Sequence, residues 1–144
     1  DDVESRGLGD VYKRQVRETI EFVKSNPHIQ SISVNFHTPF EGTENLMVNW
    51  GVRAEIIDEV IRLKKAGYPI MNSVSGLRLM RHNHFRKQCW VSNFILPEGQ
   101  KLAECQGKEA GLCDRCGFCM AGEMRSLLDL KFDTIRAGMK LRVK

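Results

Sequence analysis

The five cysteines of this 144-residue chain all lie between Cys89 and Cys119. Three of them follow one another at intervals of two residues, as Cys113-x-x-Cys116-x-x-Cys119. Cysteines spaced in this way can direct their sulfurs at one centre without backbone strain, and such thiolates hold zinc ions or iron–sulfur clusters. The sequence therefore predicts a metal centre, to which Cys89 and Cys105 would add ligands from a short hairpin turned at residues 97–99.

Two kinds of centre are compatible with four thiolates. Structural zinc usually draws two ligands from each of two separate knuckles, whereas the C-x-x-C-x-x-C run is characteristic of a [4Fe–4S] cluster. The triple spacing favours the cluster. Buried cysteines without a metal are common singly, but five clustered thiols favour ligation, and their odd number disfavours a disulfide framework. Cys113 is expected to be the spare thiol, because Cys116 and Cys119 would complete a set of four with Cys89 and Cys105.

The spacing of the first two cysteines resembles a known family. Cys89, nine residues, Gly99, five residues and Cys105 are similar to the opening of the SPASM/twitch extension of radical S-adenosylmethionine (SAM) enzymes. That family usually places four residues after the glycine, and its later cysteines are spaced differently. With five cysteines in the chain, the resemblance implies a twitch-like extension with one auxiliary [4Fe–4S] cluster.

The elements before the cysteines indicate an α/β fold. Apolar and polar residues alternate over 29–36, which predicts a strand, and a second strand is predicted over 68–74. Between them, 49–66 has an apolar stripe with Arg53 among the charged residues of its polar face, which predicts an amphipathic helix. A strand–helix–strand unit requires parallel strands and a right-handed crossover. The predicted fold class is a partial parallel (β/α) barrel, comprising its last strands, followed by a small cysteine-rich iron–sulfur extension.

Polar residues at the predicted strand ends are the candidate ligand contacts. The C-terminal ends of barrel strands carry the chemistry in enzymes of this architecture, and the four residues there are Asn35, His37, Ser73 and Ser75. Small residues at 73–76 would allow a cofactor to approach the backbone, although a plain turn explains them equally well. The loop after the first strand adds the candidates Thr38, Glu41 and Glu44.

The chain divides into three predicted regions. Residues 1–15 resemble translated adapter sequence at the end of an assembled gene fragment, and they are interpreted as a non-native leader. Residues 16–88 would be the C-terminal part of a radical SAM barrel, and 89–144 the SPASM/twitch-like extension, with two short helices predicted over 121–130 and 132–139. The C-x-x-x-C-x-x-C motif of radical SAM enzymes does not occur in the chain. The resemblance implies that this motif lay upstream, so the chain is expected to be a fragment that is inactive alone.

The resemblance also implies a function. An enzyme of this family cleaves SAM reductively with electrons from a donor, and the resulting 5′-deoxyadenosyl radical abstracts hydrogen from a substrate, which this sequence leaves unknown. Asn35, His37, Ser73 and Ser75 would line the SAM or substrate cavity. The auxiliary cluster on four of the five cysteines would relay an electron or bind substrate. The catalytic residues are unknown.

Composition restricts the partners and location. The net charge is +4, and no apolar run approaches the roughly 20 residues of a membrane span. Only Phe85 interleaves with the basic run at 77–87, which disfavours nucleic-acid binding. Free thiols suit the reducing cytoplasm, the expected location. The alternative function is a structural zinc-knuckle binding module without catalytic activity.

Overall fold

The computed structural model describes residues 2–91, 94–95 and 97–140, with side chains described from residue 10 to 90, at 94–95 and over 97–139. Within these residues, helices predominate and one short hairpin forms. The helices are α1 (Asp2–Ser25), α2 (Trp50–Lys65), α3 (Val74–Met80), α4 (Gln106–Glu109), α5 (Met120–Leu128) and α6 (Phe132–Lys140), and the strands are β1 (Phe94–Ile95) and β2 (Lys101–Leu102). Single 3₁₀ turns cover Glu44–Leu46, Cys89–Val91 and Cys113–Arg115.

Helix α2 is the centre of the apolar core. Its N-terminus is capped by Asn49, whose side-chain oxygen accepts a hydrogen bond from Val52 N at 2.9 Å, and such a cap stabilises a helix by about 1 kcal/mol. The helix matches the predicted span 49–66 to within one residue at each end. Its apolar stripe packs against α1, α3 and the extended segments in a cluster that includes Ile20, Ile57, Val60, Leu63, Ile70, Leu77 and Met80.

Helix α1 runs through the predicted leader. Tyr12 and Val16 pack against the core cluster, and Lys13 Nζ lies 2.9 Å from Glu55 Oε2 on α2. The interpretation of residues 1–15 as a non-native leader stays a prediction.

The two predicted barrel strands are extended but barely paired. A single parallel bridge joins Ile32 to Ile70, with Ile32 N donating to Pro69 O and Met71 N donating to Ile32 O, both at 2.9 Å. Beyond this bridge, the side chain of Asn72 makes the hydrogen bonds that the backbone of a neighbouring strand would make. Its oxygen accepts from Val34 N, and its nitrogen donates to Val34 O. The parallel direction agrees with the predicted crossover, whereas the described residues contain no further barrel strand. The partial barrel stays a prediction.

The second predicted strand ends earlier than expected. Ser73 is the N-cap of α3, since its hydroxyl oxygen accepts from Gly76 N at 2.9 Å. The prediction of a strand through residue 74, with 73–76 as its end, is therefore wrong, because the serine side chain stabilises a helix start at that point.

Helices α5 and α6 match the predicted helices over 121–130 and 132–139 closely, and both pack on α3. Glu123 Oε1 on α5 accepts from Ser73 N at 2.7 Å. The Asp133 carboxylate on α6 accepts from the backbone N and the hydroxyl of Ser75. Two carboxylates from the C-terminal helices thereby satisfy donors at the start of α3.

Glu123 makes the stability of this packing depend on pH. Burial raises the pKa of Glu123 above its ordinary value of 4.5, and hydrogen bonds from Ser73 oppose that shift only in part. The folded chain therefore binds a proton more tightly than the unfolded chain, so this contribution to stability is full below pH 4.5 and is lost as pH rises through the raised pKa. We expect Glu123→Gln to remove this loss, as measured by urea unfolding at several pH values from acidic to neutral.

The matched control is Glu41→Gln, which changes an exposed carboxylate and should leave the pH profile of the unfolding free energy unchanged. A Glu123→Gln profile parallel to that of the unsubstituted chain would contradict the assignment.

The predicted cysteine hairpin is confirmed at its turn and the two pairs beside it, whereas its predicted start at Trp90 lies in a 3₁₀ turn. Strand β1 pairs antiparallel with β2, with Phe94 opposite Leu102 and Ile95 opposite Lys101. Gly99 has φ +83° in the connecting turn, a left-handed conformation that glycine adopts without steric strain. Residues 92, 93 and 96 of the predicted hairpin lie outside the described residues. Across the described chain, no helix combines the length and apolarity needed to cross a bilayer.

Candidate metal centre

The loop containing Cys113, Cys116 and Cys119 packs directly against the first extended segment. Phe36 N donates to Gly117 O at 2.9 Å, and Gly117 N donates to Thr38 Oγ1 at 2.9 Å. A Cβ atom at residue 117 would collide with the Phe36 carbonyl oxygen. Glycine is required here because the two backbones approach so closely.

Three further side chains hold the backbone of this loop. Asn83 Nδ2 donates to the carbonyl oxygens of Cys113 and Asp114, at 3.0 and 2.9 Å. Arg53 Nη2 donates to Cys116 O at 3.0 Å, and Asn35 Oδ1 accepts from Cys119 N at 2.9 Å. The loop conformation is therefore fixed by side chains from the first 83 residues.

Four of the five thiols are electrostatic neighbours. Burial raises the pKa of Cys89, and repulsion by Cys105, Cys116 and Cys113 raises it further. Cys89 and Cys105 line one cavity of about 470 Å³, together with Trp90 and Lys108. The hairpin and the 113–119 loop thus bring Cys89, Cys105, Cys113 and Cys116 to the same region.

Cations and a backbone donor surround these thiols. Burial raises the pKa of Cys116, while a hydrogen bond from the backbone of Phe118 and the positive charges of Lys87 and Arg53 oppose the shift. Lys87 also acts on Cys89 in the same direction. Positive charges and N–H donors favour the thiolate form, which is the form that ligates metals.

Cys119 differs from the other four cysteines in its packing. Its side chain is 1% exposed and belongs to the apolar core cluster. Burial raises the pKa of Cys119 to about 12, and Cys116 is the thiol that acts on it among the described residues. The choice of Cys113 as the spare thiol stays a prediction, and the burial of Cys119 in the core makes Cys119 a second candidate.

The five thiols are free, and no disulfide joins them. Among the described residues, no three His, Cys, Asp or Glu side chains converge closely enough to hold a single metal ion. The donor set, the cavity between Cys89 and Cys105 and the surrounding positive charge nevertheless fit an anionic thiolate-bound cluster in chemical type.

The four predicted cofactor contacts are engaged within the protein. Asn35 binds the backbone of Cys119, and His37 Nε2 lies 2.9 Å from Thr43 Oγ1. Ser73 and Ser75 lie at the start of α3, where both are hydrogen-bonded to carboxylates. The structure brings the two serines together but does not join them to Asn35 or His37 in one ligand-binding constellation of the described residues.

Asn35 also lines a second cavity, of about 440 Å³. Ser33 and Asn72 contribute polar groups from the extended segments, and the remaining wall comes mainly from α5 and α6, with the apolar side chains Met71, Met120, Met124, Leu127, Ile135 and Met139. The polar face predicted for residues 29–36 is thus the face on which this cavity opens.

Two residues that hold the loop were missed by sequence reasoning. The pattern of charged residues predicts Arg53 on the polar face of its helix, whereas in the structure its side chain is 1% exposed. Its position is four residues before Ile57 and seven before Val60, which places it on the apolar stripe, and this spacing could have revealed it. Asn83 has φ +59°, and the sequence contains no signal for that conformation beyond the tolerance of asparagine for it.

Comparison of the chain with family models, with curated proteins and with solved structures finds no match.

Proposed function

We propose that this chain is part of a radical SAM enzyme and that its cysteine-rich region holds an auxiliary [4Fe–4S] cluster through Cys89, Cys105, Cys113 and Cys116. The observation that carries the proposal is the grouping of all five cysteines between Cys89 and Cys119, with Cys89 and Cys105 on the wall of one cavity. Thiolates held near one another repel, and a shared cationic core removes that repulsion.

The surrounding residues would bind and orient the cluster. Phe118 N–H donates toward the Cys116 sulfur, and hydrogen bonds to ligand sulfurs tune the reduction potential of a cluster. Lys108, whose pKa is raised mainly by Glu104 and also by Cys113 and Cys89, places positive charge near two ligands. Trp90 lines the cavity beside Cys89. When bound, the cluster would supply electron relay or a site for substrate.

The resemblance to radical SAM enzymes also suggests where SAM and the substrate would bind. SAM and the substrate, whose identity is open, would bind near the cavity that Asn35 lines, and the methionines of its wall suit a flexible apolar partner. The chain has no C-x-x-x-C-x-x-C run, so the cluster that cleaves SAM and the contact with an electron donor would come from another part of the enzyme. A reducing cytoplasm would keep the thiols available.

Anaerobic reconstitution of the full chain with iron and sulfide tests this proposal. We expect about four irons and four sulfides per chain, with the broad visible absorbance of a [4Fe–4S] cluster near roughly 400 nm. Metal analysis and visible spectroscopy provide the measurement. About one zinc and no iron per chain would instead support the structural zinc-knuckle module, and the enzymatic proposal would fall.

A further inference from the structure

Arg53 is a buried cation without a conventional counter-ion. Its side chain is 1% exposed in the second turn of α2. No carboxylate among the described residues forms an ion pair with it, and its guanidinium donates instead to the backbone carbonyl oxygen of Cys116. Removing a charged group from water costs free energy unless an opposite charge lies close to it. A negative charge near the buried guanidinium would therefore stabilise it.

The described contacts satisfy the guanidinium only in part. Nη2 donates to Cys116 O at 3.0 Å, and Cζ lies 4.6 Å from the centroid of the Phe36 ring and 4.9 Å from that of the Trp50 ring. Nε is buried and has no hydrogen-bond partner in the described part of the chain. The two rings fix the orientation of the guanidinium through stacking and cation–π attraction, so its charge is held beside Cys116.

The negative charge of a [4Fe–4S] cluster would stabilise the buried Arg53 guanidinium. Four thiolates around an oxidised [4Fe–4S] core carry a net charge of about −2, and one-electron reduction makes that charge more negative. A fixed positive charge beside one ligand stabilises the reduced form more than the oxidised form, because Coulomb attraction grows with the opposing charge. Such a cation therefore raises the reduction potential.

We infer that Arg53 is a positioning residue for the cysteine-bound centre: it holds the backbone of the ligand Cys116 and supplies the buried positive charge that sets the potential of the cluster. This inference rests on the proposed function, since it assigns a role toward the cluster bound there. Arg53 acts through Cys116 and through its charge, and it is not itself a ligand.

Arg53→Met tests the inference, because methionine fills much of the same space without a charge. We expect the reconstituted variant to retain about four irons per chain, while its midpoint potential, measured by redox titration, shifts to a more negative value. The matched control is Arg62→Met on the same helix, which removes an exposed arginine bound to Glu59 and should leave the potential unchanged.

Each outcome of this experiment is decisive. An unsubstituted chain that binds no iron overturns both the proposed function and this inference. If the chain binds iron but the unsubstituted and Arg53→Met forms have equal midpoint potentials, the inference is wrong and the proposed function stands. If Arg53→Met does not fold, Arg53→Lys and Arg53→Gln decide the question: the charged lysine variant should have the higher potential, and equal potentials in the two would refute a role for the charge.

Discussion

Cys116→Ala is expected to reduce the iron content of the reconstituted chain from about four atoms to nearly none, whereas Cys119→Ala should leave it close to four. The two residues lie three positions apart, and both are buried. Cys116 experiences the charge of Cys105 and receives a hydrogen bond from Phe118, whereas Cys119 packs in the apolar core. Removing a ligand leaves three thiolates for the cluster, while removing Cys119 leaves all four proposed ligands in place.

Iron and acid-labile sulfide per chain give the measurement, with circular dichroism to confirm that each variant is folded. Cys119→Ala should reduce stability by about 1 kcal/mol, because it removes a small buried group from the core. Loss of the cluster in a folded Cys119→Ala variant, together with its retention in Cys113→Ala, would identify Cys113 as the spare thiol and contradict the proposed ligand set.

Gly117→Ala is expected to be strongly destabilising, by about 3 kcal/mol or more. The added Cβ would collide with the Phe36 carbonyl oxygen and lie 2.7 Å from the His37 carbonyl oxygen. Both obstacles are backbone atoms, so relief requires the loop to move away from the extended segment. That movement breaks the hydrogen bond from Phe36 N to Gly117 O and the one from Gly117 N to Thr38 Oγ1. Urea unfolding of the variant and the unsubstituted chain measures the difference.

Gly138→Ala is the matched control for this substitution. Gly138 lies in α6, and a Cβ there meets nothing within 4 Å. Alanine should therefore raise the stability by about 0.5–1 kcal/mol, since it reduces the backbone entropy lost on forming the helix. Unfolding free energies of Gly117→Ala and the unsubstituted chain that agree within about 0.5 kcal/mol would show that the loop does not contact the extended segment closely.

Helices α2, α5 and α6 were predictable from the sequence because their signals are local. Residues 49–66 carry a repeating apolar stripe and an asparagine cap, and α2 forms there. The hairpin was predictable for the same reason, since Gly99 marks its turn. These signals depend on neighbours within a few residues, so no tertiary information is needed to interpret them.

The features that depend on distant contacts were harder to predict. The segment at 73–76 has residues suited to a strand end, yet Ser73 caps a helix and Glu123 binds its backbone N–H, a partner 50 residues away in the chain. The burial of Cys119 against the core likewise depends on distant contacts, which the spacing of the cysteines does not encode. Cysteine spacing predicts the region of the candidate site, and the ligand set within it stays a prediction.

Hydrogen bonds from side chains elsewhere in the chain hold the backbone of the 113–119 loop. Arg53, Asn83, Thr38 and Asn35 each bind a carbonyl oxygen or an N–H group of the loop, and none of these contacts uses a thiol. The conformational entropy of ordering this segment is consequently lost when the protein folds, before any ligand arrives. In metal sites that form only on binding, the same entropy is subtracted from the binding free energy. If the proposed cluster binds here, that entropy would not be subtracted from its binding free energy.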